Sequence, residues 1–146
     1  LLRLKQSVDA AAPAVVDSAG TDARPAMLGG LRAVAMAFFA YYRDHPQDMD
    51  LGFYLFNGAR PRGLTPELNQ QLNDRLRSAL QPIQRLLLRL GLCEKEALIE
   101  TTAIFAHVVG VLMLHNTGRI RLFEQDAHDL MTRYLDQLST RLAAGA

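Results

Sequence analysis

Between Ala103 and Leu114 the chain is apolar in almost every direction, and His107 is the only polar side chain in the run. Acidic Glu94 and Glu96 ahead of it suit the positive end of a helix dipole, and Gly118 behind it suits a left-handed stop. The segment is therefore expected to be one helix from about Glu94 to Asn116. A helix that is apolar around its whole circumference has no side to offer water and must be covered on more than one face. A chain of 146 residues has few elements with which to do that. The apolar run is also shorter than the roughly 20 residues of a membrane span. A buried core helix is the expectation, with no membrane partner.

The rest of the chain reads as helices around this one. Leu1, Leu4 and Val8 mark a first helix to about Ala12, and residues 17–25 have loop composition. A second helix from about Ala26 to Arg43 carries Leu28, Leu31, Val34, Ala35, Phe38 and Tyr42 on one side. His45, before a proline, breaks it. Pro46 opens a short third helix bearing Met49, Phe53, Tyr54, Leu55 and Phe56. Thr65-Pro66-Glu67 is a strong start for a fourth, with Thr65 as cap. Its stripe runs from Leu68 through Leu76, Ile83 and Leu87 to Leu90. Pro82 should kink it, and Gly91 should end it. The sixth helix spans roughly Phe123 to Ala143, with a stripe of Phe123, Ala127, Leu130, Met131, Tyr134, Leu135, Leu138 and Leu142. No strand alternation appears. The expected fold is an all-α six-helix bundle, residues 1–146 forming one domain.

Charge and motifs remove several function classes. Sixteen basic residues against fifteen acidic give a net charge of +1, which leaves no electrostatic footprint for nucleic acid on these residues. Cys93 is the only cysteine, so no disulfide forms within the chain, and a reducing, cytoplasmic setting fits. Its acidic neighbours Glu94 and Glu96 disfavour a reactive thiolate. There is no phosphate loop, nucleophile elbow or Cys/His pair, so no catalytic residue, enzymatic activity or cofactor is expected. Glu124 and His128 share a helix face at metal-compatible spacing. Two ligands do not make a zinc site, and no metal site is expected. Asp126 and Asp129 read as a solvated face, and Arg60 and Arg62 as a solvated loop.

Two surfaces stand out. Ala103, Ala106, Gly110 and Leu114 share one side of the fifth helix. Glycine inside a helix costs roughly 1 kcal/mol against alanine, so Gly110 calls for a packing reason. This face, with His107 at its edge and Leu130, Tyr134 and Leu138 of the sixth helix, is expected to form a four-helix interface in a homodimer. The alternative is that it packs within one chain. The second surface is aromatic. Phe38, Tyr41, Tyr42, Phe53 and Phe56 cluster on the second and third helices, and Phe105, Leu112 and His115 lie on the opposite face of the fifth. An apolar pocket with a few polar groups, here Tyr hydroxyls, His115 and Asn116, is how small-molecule sites are built; plain core is the competing reading.

The segments Leu31-Arg32-Ala33 through Tyr42-Arg43-Asp44-His45-Pro46, Phe53-Tyr54-Leu55-Phe56, Phe105 to Leu112, and His115-Asn116-Thr117-Gly118-Arg119 together resemble the C-terminal domain of TetR-family transcriptional repressors. The resemblance covers nearly the whole chain and lies in helix order and punctuation, with no single sharp motif. It implies a small-molecule effector, a homodimer, and operator DNA bound through an N-terminal helix-turn-helix head preceding Leu1. Residues 1–12 would be the tail of the helix that connects head to core. The chain begins without Met and partway through an apolar pattern, which fits a piece of a longer protein. The alternative function is a helical-bundle interaction module unrelated to transcription.

Overall fold

A computed structural model of the chain describes residues 2–11, 23–53 and 65–144. They form six α-helices: α1 (Leu2–Ala11), α2 (Ala23–Asp44), α3 (Pro46–Phe53), α4 (Pro66–Arg89), α5 (Glu94–Asn116) and α6 (Ala127–Ala144). A 3-10 turn, Arg119–Phe123, joins the last two. No strand occurs among the described residues, and the fold is an all-α bundle.

The helix boundaries follow from local chemistry. Thr65 caps α4 by accepting from the Leu68 N–H at 3.3 Å, with Pro66 in the first turn. The helix runs on through Pro82 to Arg89. Gly91, at φ +99°, then lets the Leu92 N–H reach the Leu87 carbonyl (3.2 Å) and its own N–H reach Leu88 (3.0 Å). That is a left-handed stop that satisfies the last free carbonyls. Gly118, at φ +70°, ends α5 with its own N–H on the His115 carbonyl (3.0 Å).

Two boundaries differ from the sequence reading. α2 begins at Ala23, inside the stretch that loop composition marked. Pro25 falls in its first turn, where a missing N–H costs nothing. α6 begins at Ala127, because the Asp126 carboxylate accepts from the N–H groups of His128 (2.7 Å) and Asp129 (3.2 Å). Those two donors also hold its pKa down. Phe123 therefore belongs to the 3-10 turn, not to the α6 stripe.

α2 is the hub of the bundle and packs on α1, α3, α4, α5 and α6. Its Leu31, Val34, Phe38 and Phe39 meet Leu4 and Val8 of α1, Ile83 and Leu87 of α4, Ile104, Val108 and Leu112 of α5, and Met131 and Leu135 of α6 in one buried cluster. By length and composition α5 is long and apolar enough to cross a membrane. It packs on α2, α4, α6 and the 3-10 turn and leaves its other side exposed, so it is covered on one side and not all round, as its apolar pattern predicts.

Candidate functional site

At the end of α2 the aromatic side chains form one edge-to-face network. The Phe38 and Tyr42 rings lie 5.2 Å apart, Phe38 and Phe105 6.0 Å, and Tyr41 and Tyr42 5.4 Å. Such geometry suits the ring quadrupoles. Phe38, Tyr41, Tyr42 and Leu112 are buried, Phe105 half-buried and His115 exposed. The structure thus gathers Phe38, Tyr41, Tyr42, Phe105 and Leu112 and leaves His115 on the surface. Phe53 ends α3, while Phe56, Tyr54 and Leu55 lie outside the described residues, as do Arg60 and Arg62. The network has a polar edge. The Tyr41 hydroxyl donates to Asp48, and burial together with that carboxylate pushes its pKa up to about 12. Burial also raises Tyr42. His45 stacks on Tyr41 at 4.5 Å, and the Asn116 amide points to the Met49 sulfur at 3.8 Å. Asp48 was not singled out from the sequence. The signal was its place one turn into the helix that Pro46 opens, facing back to Tyr41.

The outer side of α5 is bare. Ala103, Ala106 and Gly110 are exposed, and His107 and Leu114 half-buried. The same face extends to residues that the small-residue pattern did not include. Ile99 is 58% exposed, Leu98 56% and Met113 42%. A Cβ built at Gly110 meets nothing within 4 Å, so no packing inside the chain explains this glycine. On α6, Leu138 is buried within the chain, while Leu130 and Tyr134 are half-buried. The His107 ring stacks on Tyr134 with centroids 3.9 Å apart and planes 14° from parallel. Burial pushes the His107 pKa down, because a low-dielectric site disfavours the cation. Its Nε2 is enclosed with no hydrogen-bond partner among the described residues. Burial first, and then the Glu100 carboxylate, raise Tyr134.

At the far end of α2, about 21 Å from Phe38 along the helix, a cleft of about 340 Å³ opens between Arg24, the Leu90-Gly91-Leu92 turn, the start of α5 and Leu142. Arg24 donates to the carbonyls of Leu90 and Leu142, at the ends of α4 and α6. A cation there meets two negative helix ends at once. Arg141 pairs with the buried Glu100 at 2.8 Å. The cleft shares no residue with the aromatic network.

Ligand atoms of Asp126, His128 and Asp129 come within 4.8 Å of one another on the surface, a grouping in which Glu124 takes no part. Asp126 is already engaged as the α6 cap. Cys93 is exposed at the start of α5, with its N–H on the Glu96 carboxylate at 3.2 Å.

A family model described as "Tetracyclin repressor-like, C-terminal domain" matches residues 31–138. No curated protein and no solved structure matches the chain.

Proposed function

The chain belongs to the tetracyclin repressor-like C-terminal domain family, and from that premise we propose that it is the effector-sensing and dimerising domain of a transcriptional regulator. The effector is a small apolar or aromatic molecule. It is held by Phe38, Tyr41, Tyr42, Phe105 and Leu112, with Phe53, Phe56 and His115 as further candidate contacts. Two copies pair through the outer side of α5, at Ala103, Ala106, His107, Gly110 and Leu114, and through Leu130 and Tyr134 of α6, which Leu138 backs from within its own chain. In this reading residues 1–146 act as one unit, and α1 carries the signal to a DNA-binding head.

The observation that supports dimerisation is the exposed small-residue face of α5, with open space above Gly110. The support for signalling is connectivity. α2 holds the aromatic network at one end and packs along α1, so an effector that shifts α2 acts directly on α1. Such an effector releases DNA only if it binds the released arrangement more tightly than the DNA-bound one.

A thermal-shift screen of apolar and aromatic small molecules tests the effector site. A ligand that binds only the folded state at 100 times its Kd adds about 2.7 kcal/mol of stability. Compounds that raise the melting temperature of the wild type are expected to lose that effect in Phe105→Ala. Hits that act equally on both proteins would move the site elsewhere.

A further inference from the structure

Two features at opposite ends of α5 remain without a role. At its end, the 3-10 turn presents Leu122 and Phe123 to solvent, 78% and 66% exposed. At its start lies the cleft, lined by the apolar Leu90, Leu92, Ile99 and Leu142 and by the charged Arg24, Glu96, Glu100 and Arg141. A Cβ built at Gly91 in its rim meets nothing within 4 Å. Exposed apolar side chains thus stand at one end of α5, and a recess of mixed apolar and charged lining at the other.

A two-fold interface brings the same patch of both subunits together, so each contact occurs twice. Along α5 the exposed residues are disposed symmetrically. Ile99 and Met113 each stand seven residues from Ala106, which is about 10 Å along the axis. Small residues occupy the middle. With two α5 helices antiparallel about Ala106, Ile99 of one copy faces Met113 of the other. The end of each α5 then lies beside the start of its partner, where the cleft opens. In the parallel arrangement turn meets turn and cleft meets cleft, and neither is filled. Antiparallel packing also sets each helix dipole head to tail.

We propose that in the dimer the 3-10 turn of each subunit seats Leu122 and Phe123 in the cleft at the start of the other subunit's α5. The occupant is a second copy of this chain. The inference rests on the dimer reading above, and its test separates the two. Cys93 borders the cleft turn and is the only cysteine. In Phe123→Cys, the two cysteines of one chain flank the 23-residue α5, about 34 Å apart. A disulfide needs Cα atoms within about 7 Å, so it forms only between copies.

Mild oxidation of Phe123→Cys by oxygen with a copper catalyst is expected to give a covalent dimer on a non-reducing gel. The wild type and Cys93→Ser/Phe123→Cys are expected to give none. Independently, Leu122→Glu/Phe123→Glu is expected to weaken the dimer tenfold or more in sedimentation while leaving helical content unchanged. A wild-type dimer whose affinity survives the double glutamate variant, with no link from Cys93, would overturn the seating and leave the dimer intact. A link that persists in Cys93→Ser/Phe123→Cys would overturn it by placing turn against turn. A wild type that sediments as a monomer overturns both readings.

Discussion

The two sides of α5 carry the same kind of residue and meet opposite surroundings. Inward, Ile104, Val108, Val111 and Leu112 are at most 5% exposed and pack into the cluster built on α2. Outward, Ile99, Ala103, Ala106, Gly110 and Met113 face solvent. Apolar content therefore does not by itself say where a core lies. One side of this helix is satisfied by its own chain. The other side has the composition of a buried surface and no neighbour within the chain to bury it. Exposed apolar patches of this kind mark interaction sites on soluble proteins, and a second copy is the partner we assign.

That contrast makes predictions of graded size. The largest belongs to the inner side. Leu112→Ala should cost about 2–5 kcal/mol in urea unfolding, as truncations in a close-packed core do. A loss under about 1 kcal/mol would show that the inner side is not the true core. Next comes the outer side, where Gly110→Arg sets a bulky cation at the small-residue face. It should raise the dimer dissociation constant by about 100-fold or more, or about 2.7 kcal/mol, in sedimentation. The far-UV spectrum should stay unchanged, because the monomer has room there. An unchanged affinity would remove this face from the interface.

A smaller effect concerns His107, at the seam between the two sides. Burial holds its pKa below the ordinary 6.5, so folding favours the neutral ring. As pH falls through that ordinary value, the unfolded chain takes up a proton that the folded chain resists. The His107 contribution to stability is full above this window and declines on acidification until the folded-state pKa is passed. Urea midpoints at pH 7.5, 6.5 and 5.5 should fall more steeply for the wild type than for His107→Gln. Equal slopes would mean that the stacked ring titrates freely. The smallest effect sharpens the comparison most. With open space above its backbone, Gly110→Ala should stabilise the isolated subunit by about 0.5–1 kcal/mol, through helix propensity alone. In the dimer the added methyl enters the contact and should weaken association. The same sign in both measurements would show that the helices do not approach closely at this residue.

Much of this was legible in the sequence, for identifiable reasons. Gly91 and Gly118 marked helix ends because only glycine takes a positive φ without strain, and both do so here. Thr65-Pro66 marked a helix start because cap and first-turn chemistry are local. The start of α6 was misjudged because Phe123 fits the apolar period, yet the Asp126 cap decides where the backbone turns. Periodicity reports a face, and capping reports an end. The aromatic network was legible as a cluster, but its junction with Asp48 was not, since that contact crosses the break at Pro46. The cleft left no signal at all. Its walls come from α2, α5, α6 and the turn between α4 and α5, and only the packing of all of them makes a recess.

Sedimentation equilibrium of the wild-type chain, from low micromolar to near-millimolar concentration, tests the central claim most directly. We predict a reversible monomer–dimer equilibrium with the dimer dominant at the upper end. A folded species that stays monomeric throughout would mean that the outer side of α5 tolerates water, and the account of this helix would fail.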